Sequence, residues 1–278
     1  MKNAADAVVR GFGDEWQRFD QRELSRAELE SMFDSYFRIF PWDRLPANAE
    51  GFDAGCGSGR WASFVAPRVG RLHCIDASAD ALEVARKNLG AFPNCSFHHA
   101  SVDAIPVADD SCDFGYSLGV LHHIPDTTAG IAACVAKLKP RAPFLLYLYY
   151  AFDNRAAWYR ALWKLSELLR ALLSRAPRFV RNAGADLAAA LLYWPLARLA
   201  KLLARLGVNV ESFPLSFYRN RSFYVMRTDA LDRFGTRLEK RFTRAEITSM
   251  MERAGLRDIA FSEHAPYWVA VGFRASQS

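Results

Sequence analysis

One short stretch of this sequence combines acidic and glycine residues at a spacing that suits ligand binding, Asp53-Ala54-Gly55-Cys56-Gly57-Ser58-Gly59. Glycine has no Cβ, so glycines at alternate positions permit positive φ angles and let a ligand lie against the backbone. A helix predicted from about Arg60 would point its first N–H groups and its positive dipole end at that ligand. A second carboxylate, Asp76, ends the next apolar strand. The pattern therefore predicts a binding loop with two acidic side chains beside it.

The pattern Asp-x-Gly-x-Gly-x-Gly resembles the first motif of the class I S-adenosylmethionine-dependent methyltransferases. The resemblance covers about residues 48–150 and resumes at about 240–274. A nicotinamide-binding Rossmann loop would have the spacing Gly-x-Gly-x-x-Gly, so a dehydrogenase is disfavoured. The resemblance implies an α/β, Rossmann-like fold whose seven-stranded, mostly parallel sheet carries helices on both faces. It also implies a methyltransferase of the EC 2.1.1 type that uses S-adenosyl-L-methionine and releases S-adenosyl-L-homocysteine.

On this resemblance, the cofactor-binding residues follow the carboxyl ends of the first four strands. Asp76 would accept hydrogen bonds from both ribose hydroxyls, and the competing role is that of an acidic helix N-cap. Asp103 would accept from the adenine amino group, and the competing role is that of a turn aspartate. The full predicted set is Asp53, Ala54, Gly55, Cys56, Gly57, Gly59, Asp76, Ala77, Val102, Asp103, Ala104, Ser117, Leu118 and Gly119.

The end of the fourth strand, Val120-Leu121-His122-His123-Ile124, looks like the VLHHI signature of many small-molecule methyltransferases. In that subset the stretch matching Ser117–Gly119 lies beside the methionine part of the cofactor, and one histidine often faces the methyl group. Histidine can take a proton near neutral pH, which makes His122 or His123 a candidate catalytic base. The alternative is that both histidines cap the next helix or bond backbone. The sequence does not choose between the two.

The elements that position these residues alternate between strand and helix, as in a parallel βαβ sheet. Strands are predicted near residues 50–54, 71–75, 95–99, 113–118, 143–149, 257–262 and 267–273. Core helices are predicted near 60–67, 79–89 and 127–137, with a last one from Thr243 to Gly255. The predicted core spans 47–150 and 241–278. Alternation along the fifth strand sends Tyr147 and Tyr149 to one face and Tyr150 to the other.

Residues 1–46 are predicted to form a helical lid, and Trp16 and Tyr36 would then lie near the acceptor. The alternative is a helix that packs on the core sheet. Residues 151–240 interrupt the core as an insertion with helices near 156–173 and 183–206, the second kinked or restarted at Pro195. Its leucine stripe and basic residues fit a substrate cap, a homodimer contact or a peripheral membrane contact through 151–206.

The predicted acceptor-binding residues are aromatic or cationic: Trp16, Tyr36, Tyr149, Tyr150, Tyr218, Arg219 and Arg221. Arginine binds carboxylate or phosphate bidentately and aromatic rings stack on planar groups, so they favour an anionic or aromatic acceptor. Core aromatics and solvated surface arginines are the alternatives. Ser117-Leu118-Gly119-Val120 replaces the Asn/Asp-Pro-Pro-Tyr-like tetrapeptide typical of enzymes that methylate exocyclic amines of bases, so no nucleic-acid partner is expected.

Composition limits the class of protein further. Of the net charge of +6, all is contained in residues 151–213, which have ten Lys and Arg against four Asp and Glu. The five scattered cysteines predict neither a disulfide framework nor a metal site, and with the polar first 21 residues they favour a cytoplasmic protein. The expected function is methyl transfer to an oxygen, nitrogen or carbon nucleophile of a small metabolite. The alternatives are a membrane-associated methyltransferase of a quinone or lipid-linked sugar and a non-catalytic cofactor-binding partner protein.

Overall fold

The computed structural model describes residues 2–236 and 238–276. Seven strands form one sheet in the order β3-β2-β1-β4-β5-β7-β6. β1 to β5 are parallel, and β7 runs antiparallel to β5 and β6. The bounds are β1 Glu50–Ala54, β2 Arg71–Asp76, β3 Cys95–His99, β4 Phe114–Leu118, β5 Pro143–Tyr147, β6 Leu256–Phe261 and β7 Val269–Arg274. The predicted seven-stranded, mostly parallel sheet is therefore present.

Ten α-helices occur in the described residues: α1 Lys2–Arg18, α2 Arg26–Phe37, α3 Ala62–Val65, α4 Ala79–Asn88, α5 Thr127–Ala136, α6 Ala157–Leu173, α7 Arg178–Ala188, α8 Trp194–Arg205, α9 Phe223–Gly235 and α10 Arg244–Arg253. Side-chain caps fix the start of several of them. Ser78 caps α4, and Thr243 with Glu246 forms the predicted capping box of α10. Gly255 follows α10 with a φ of +90°, as expected for a glycine just beyond a helix end.

The chain divides into two compact units. The first contains residues 2–21, 29–151 and 238–276, and the second contains 22–28 and 152–236. The sequence-based division placed residues 1–46 together and extended the insertion to residue 240. The observed first unit therefore contains most of the predicted lid. The chain returns to this unit at residue 238, slightly earlier than the predicted end of the insertion.

In the first unit, the chain leaves and returns to the core at neighbouring positions. Tyr150 and Phe242 form an isolated parallel bridge. The Phe242 N–H donates to the Tyr149 carbonyl at 2.9 Å, and the Ala151 N–H donates to the Phe242 carbonyl at 2.9 Å. The two ends of the insertion are thus joined by backbone hydrogen bonds that belong to the core.

The second unit is built around α9, which buries most of its length. The small residues Ala188, Ala189 and Ala197 pack with Met226 and Phe234 in its core. The helix predicted near 183–206 begins earlier, at Arg178, where Pro177 ends the preceding turn. A π-helical segment, Ala189–Tyr193, joins α7 to α8 just before Pro195, which accounts for the predicted irregularity.

By length and composition, the continuous helical stretch from Arg178 to Arg205 is apolar enough to cross a membrane, and 28% of its most apolar window is buried in the protein. Such a helix is weak support for a membrane span, because core helices of soluble proteins pass the same test. It packs on α9 along one side.

Candidate functional site

The glycine loop between β1 and the short α3 forms a close-fitting cradle. Gly55, Gly57 and Gly59 have φ angles of +85°, +53° and +76°, a region that side chains other than glycine rarely adopt. A Cβ on Gly55 would lie 2.4 Å from Val120 Cγ2, and one on Gly57 would lie 2.8 Å from the Trp16 indole. The loop therefore needs glycine for its backbone conformation and also for the space around it.

Asp76 ends β2 and contacts the same loop. One of its carboxylate oxygens accepts a hydrogen bond from the Gly57 N–H at 2.8 Å, and the other accepts from the Ser78 N–H at 2.8 Å. Burial raises the pKa of Asp76, while these backbone donors act in the opposite direction. The alternative role of helix N-cap is taken by Ser78, whose hydroxyl accepts from the Ala81 N–H. Asp76 is thus held at the loop with its carboxylate directed toward it.

Asp53 lies in β1 beneath the loop and is 1% exposed. Burial raises the pKa of its carboxyl to about 8, with a further contribution from the charge of Asp76. The neighbouring Cys56 is also buried, and the pKa of its thiol rises to about 11. The carboxyl of Asp53 is consequently protonated at neutral pH in the protein without ligand.

The raised pKa of Asp53 predicts a pH-dependent stability. The folded state holds this proton more tightly than the unfolded state between about pH 4 and pH 8, so the free energy of unfolding falls as the pH rises through that window. Asp53→Asn mimics the neutral acid, and we expect it to melt at a higher temperature than the unchanged protein at pH 8 and to lose that advantage near pH 4. Thermal denaturation without ligand checks this, with the exposed Asp43→Asn as control; equal differences at both pH values would contradict it.

The carboxyl end of β4 reaches the loop from the other side. The Ser117 hydroxyl donates to the Ala54 carbonyl at 2.8 Å and so links the ends of β4 and β1. Gly119 has a φ of +79°, and a Cβ there would meet nothing within 4 Å. The structure thus brings Ser117, Leu118 and Gly119 to the strand end adjacent to the cradle, with open space beside Gly119.

The segment after β3, which contains the predicted adenine-binding residues, is more exposed than the ends of β1, β2 and β4. Val102–Ala104 forms one turn of 3₁₀ helix after β3, and the Ser101 hydroxyl donates to the Asp103 carboxylate. Ala77 follows β2, and its carbonyl lies 3.0 Å from His99 Nε2. The carboxylate of Asp103 is exposed. Its role toward adenine stays a prediction.

His122 and His123 lie in a 3₁₀ turn after β4 and both are buried. The ring of His122 is 3.9 Å from that of His123 and 3.9 Å from that of Tyr149, centroid to centroid. No described residue forms a hydrogen bond with either ring nitrogen of His122. Burial, with the charges of His123 and Arg241, holds the pKa of His122 well below its usual value.

The two histidines differ in their partners. His123 Nδ1 lies 2.6 Å from the Leu238 carbonyl, so His123 bonds backbone, as one alternative expected. Neither histidine caps the next helix, because Asp126 is the N-cap of α5. His122 is thus a neutral imidazole with no hydrogen-bond partner among the described residues, and the role of either histidine as a base stays a prediction.

α1 spans the loop and the histidines. Phe12 lies 4.8 Å from the His123 ring, and Trp16 lies on Gly57. These two side chains are one turn apart, about 6 Å along the helix axis, which places the cofactor loop and the histidine pair under neighbouring turns. Arg60 stacks on Trp16 and on Trp61. The sequence-based prediction placed residues 1–46 in a helical lid but did not identify α1 as a separate helix, although Phe12, Trp16 and Phe19 have helical spacing.

A row of aromatic rings leads to the histidines within the first unit. Tyr36 lies 4.9 Å from Trp61 and 5.1 Å from Tyr147, and Tyr147 lies 5.9 Å from Tyr149, which stacks on His122. Tyr150 turns away and contacts Tyr267 and Trp268, as the predicted alternation requires. The structure thus brings Tyr36 and Tyr149 into one aromatic row that ends at His122, but not Tyr150.

The other predicted acceptor-binding residues belong to the second unit. Tyr218 packs on Tyr193, Arg219 donates to the Ser216 carbonyl, and Arg221 stacks on Phe217. These contacts hold the segment in place in its own unit. A role for Tyr218, Arg219 and Arg221 in acceptor binding stays a prediction.

A cationic residue beside the histidines was not in the predicted site. The Arg241 guanidinium lies 5.0 Å from the centre of the Tyr149 ring, and its Nε donates to the carboxylate of Glu239 at 2.8 Å. The Glu239 side chain is 1% exposed. The signal available was the arginine- and aromatic-rich stretch up to Phe242, but the spacing could not show which arginine reaches the histidines.

The site fits S-adenosylmethionine on two observations. The loop glycines adopt positive φ angles that residues with side chains rarely take, and the space beside Gly119 is open. The buried His122 nitrogens have hydrogen-bonding capacity that the described residues do not use, which is expensive for a buried polar group unless a ligand or water supplies the partner. Asp53, Asp76 and the loop glycines would hold the cofactor, and the histidines would lie toward the acceptor.

Comparison with known proteins finds similarity to methyltransferases. Residues 52–141 match the family model of a methyltransferase domain. A ubiquinone biosynthesis O-methyltransferase of Xanthomonas axonopodis is 28% identical over 184 residues, which are 60% of this chain and 76% of that protein. One from Albidiferax ferrireducens is 30% identical over 113 residues, 40% of this chain and 43% of that protein.

Solved structures share the fold at low sequence identity. The 1,6-didemethyltoxoflavin-N1-methyltransferase of Burkholderia thailandensis, with bound 1,6-didemethyltoxoflavin and S-adenosylhomocysteine, has a TM-score of 0.55 at 12% identity, over 99% of this chain and 90% of that chain. A SAM-dependent methyltransferase of Methanosarcina mazei has a TM-score of 0.52 at 15% identity, over 86% of this chain and 99% of that chain. These likenesses concern the fold.

Proposed function

We propose that this chain, whose residues 52–141 match the family model of a methyltransferase domain, uses S-adenosylmethionine to methylate a hydroxyl group of a small aromatic acceptor. The observation that carries this proposal is His122, fully buried, neutral and without a hydrogen-bond partner among the described residues. A hydroxyl must lose its proton as it is methylated, and a neutral imidazole can take it. The names of the two relatives, both O-methyltransferases of ubiquinone biosynthesis, support oxygen as the acceptor atom.

The cofactor-binding part of the proposal uses the cradle residues. Bound S-adenosylmethionine supplies an electrophilic methyl group on a sulfonium. Asp76 holds the Gly57 amide and would accept from ribose hydroxyls, and the loop glycines, which carry no side chain, would let the cofactor lie close to the backbone. The buried Asp53 lies in β1, two residues before the first glycine of the loop.

The acceptor-binding part uses the aromatic row. Tyr149 stacks on one side of His122 and limits the directions from which an acceptor can approach. The Arg241 guanidinium, which is paired with the buried Glu239 side chain, lies above the Tyr149 ring and would hold that ring in place. Phe12 and Trp16 cover the histidines and the loop and would keep water from both. The chain's own contribution is thus orientation, exclusion of water and a proton acceptor.

The experiment is an acceptor screen with a methyl-labelled donor. Phenolic acids and catechols are compared with aromatic amines and with acceptors that can be methylated only at carbon, and the product is identified by mass spectrometry. We expect labelled methyl ethers from the phenolic set. Label on nitrogen or carbon alone would contradict the hydroxyl acceptor, and cofactor binding without transfer to any class would favour a non-catalytic partner protein.

We also place the protein in the cytoplasm. All five cysteines are free thiols and four of them are buried, which suits a reducing compartment.

A further inference from the structure

α6 of the second unit carries its apolar side chains outward. Trp158, Leu162, Leu165, Leu169 and Leu172 recur at three- and four-residue spacing and are 39–73% exposed. None of the residues of α6, all of which the structure describes, is buried. A helix of a soluble domain ordinarily turns such a stripe toward the core.

The opposite side of α6 is polar and faces the rest of its unit. Glu167 accepts from Arg170 at 2.9 Å and also from Arg233 of α9. The Arg233 guanidinium, in turn, donates to the Ser166 hydroxyl at 3.0 Å. Ion pairs therefore fix which side of α6 faces inward, and the leucine side cannot turn toward α9 without breaking them.

The helical stretch 178–205 likewise exposes large apolar side chains and buries small ones. Apart from Tyr193, its buried positions are alanines, Ala185, Ala188, Ala189, Ala197 and Ala200. Five leucines in or just after this stretch are exposed by 44–70%, namely Leu187, Leu191, Leu199, Leu202 and Leu206. Within the described residues, every large hydrophobic side chain that is exposed lies between residues 158 and 223. An apolar surface confined to one segment marks an interaction site.

α6 and α7 are neighbours in the second unit. Both pack on α9, and a Cβ on Gly184 of α7 would lie 2.7 Å from Leu173 at the end of α6. We use the name leucine–arginine face for the outward sides of α6 and of residues 178–206. Trp158 and Trp194 lie on it, 56% and 47% exposed, and tryptophan is favoured where apolar and aqueous phases meet.

The charge of this segment selects among possible occupants. Residues 155–206 contain ten Lys and Arg against two carboxylates, Glu167 and Asp186. Both carboxylates are held in ion pairs, Glu167 as above and Asp186 with Arg227 at 2.9 Å. A second copy of the chain would bring like charges together across a two-fold interface. An anionic lipid surface satisfies the apolar and the cationic groups at once.

We propose that the leucine–arginine face docks on the surface of an anionic lipid bilayer. The helices lie in the bilayer interface and do not cross it, because the alanine side of residues 178–205 and the Asp186–Arg227 pair belong to the core of the second unit. Lysine and arginine stems extend from the same helices to the lipid phosphates. Binding of the leucine–arginine face to a bilayer does not depend on the acceptor proposed above for the first unit.

The test is flotation of the full chain with vesicles. Phosphatidylcholine vesicles are compared with vesicles that also contain phosphatidylglycerol, at low and high salt. We expect the protein to float with the anionic vesicles, to bind less as salt rises, and to lose binding at least about tenfold in Leu165→Glu/Leu172→Glu. Since both leucines are exposed, circular dichroism melting of this variant is expected to match the unchanged protein.

A charge-matched control separates the effect of altering the leucine–arginine face from the effect of lowering the net charge. Ala91→Glu/Ala245→Glu adds the same two carboxylates at exposed positions of the first unit and is expected to keep most of the binding. Equal loss in both variants, or no flotation of the unchanged protein, would overturn the proposal. A dimer in sedimentation velocity without lipid that Leu165→Glu/Leu172→Glu dissociates, with no flotation, would assign the face to a second copy. Flotation that withstands both high salt and alkaline carbonate would overturn the interfacial position in favour of a span.

Discussion

Replacement of His122 by asparagine is expected to lower kcat by about a hundredfold or more, the usual effect of losing a positioned general base. Asparagine keeps a polar planar group between Tyr149 and His123 but cannot take a proton at neutral pH. The dissociation constant of S-adenosylmethionine should change little, because the cradle is formed by other residues. Single-turnover kinetics with a phenolic acceptor, beside calorimetric cofactor titration, measures both quantities.

The pH profile makes this prediction specific to the imidazole. Since burial holds the pKa of His122 well below 6.5, the ring is already neutral above that pH, and kcat/KM should not fall between about pH 8 and pH 6.5 through His122. The exposed His264→Asn is the matched control and should behave as the unchanged protein. Full activity in His122→Asn would show that the acceptor needs no base from this residue.

Replacement of Asp76 by alanine is expected to weaken S-adenosylmethionine binding by about a hundredfold or more. Hydrogen bonds to a charged group contribute about 1.5–3 kcal/mol each, and the proposed contact to the ribose has two of them. The variant also releases the Gly57 N–H, which Asp76 now holds at 2.8 Å. Isothermal titration calorimetry with S-adenosylmethionine and S-adenosylhomocysteine gives the affinity.

The neighbouring helix supplies a control for Asp76. Glu83→Gln removes an exposed carboxylate from α4, which begins three residues after Asp76, and should leave the affinity unchanged. Circular dichroism must show that Asp76→Ala remains folded. Unchanged affinity in a folded Asp76→Ala would remove this carboxylate from the cofactor site, and no binding by the unchanged protein would remove the cofactor itself.

Local sequence predicted the sheet well, because a buried parallel strand is specified by its own apolar run and by the polar turn after it. β1 and β3 begin and end at the predicted residues, and the other strands differ by at most two residues at either end. The glycine loop was equally readable, since positive φ angles at three positions leave few alternatives to glycine. The capping box at Thr243 was found for the same reason.

What the sequence did not show depends on contacts between distant residues. α1 contains Gly11 and Gly13, which weaken a helical pattern, and its place over Gly57 and His123 is a tertiary contact. α9 was missed because it is buried nearly all round and shows no apolar stripe. The distinction between His122 and His123 arises from one bond to the Leu238 carbonyl, more than a hundred residues away.

The backbone bridge between Tyr150 and Phe242 bears on how such a protein diversifies. An insertion whose two ends are already joined adds no new loop-closure requirement to the core, so its length and sequence can drift without disturbing the strand ends that form the cradle. Evolution can then exchange the second unit as a module while the cofactor chemistry is inherited unchanged. Chimaeras that exchange residues 152–237 between relatives at this junction would therefore be expected to change acceptor specificity or cellular location and to keep the cofactor site.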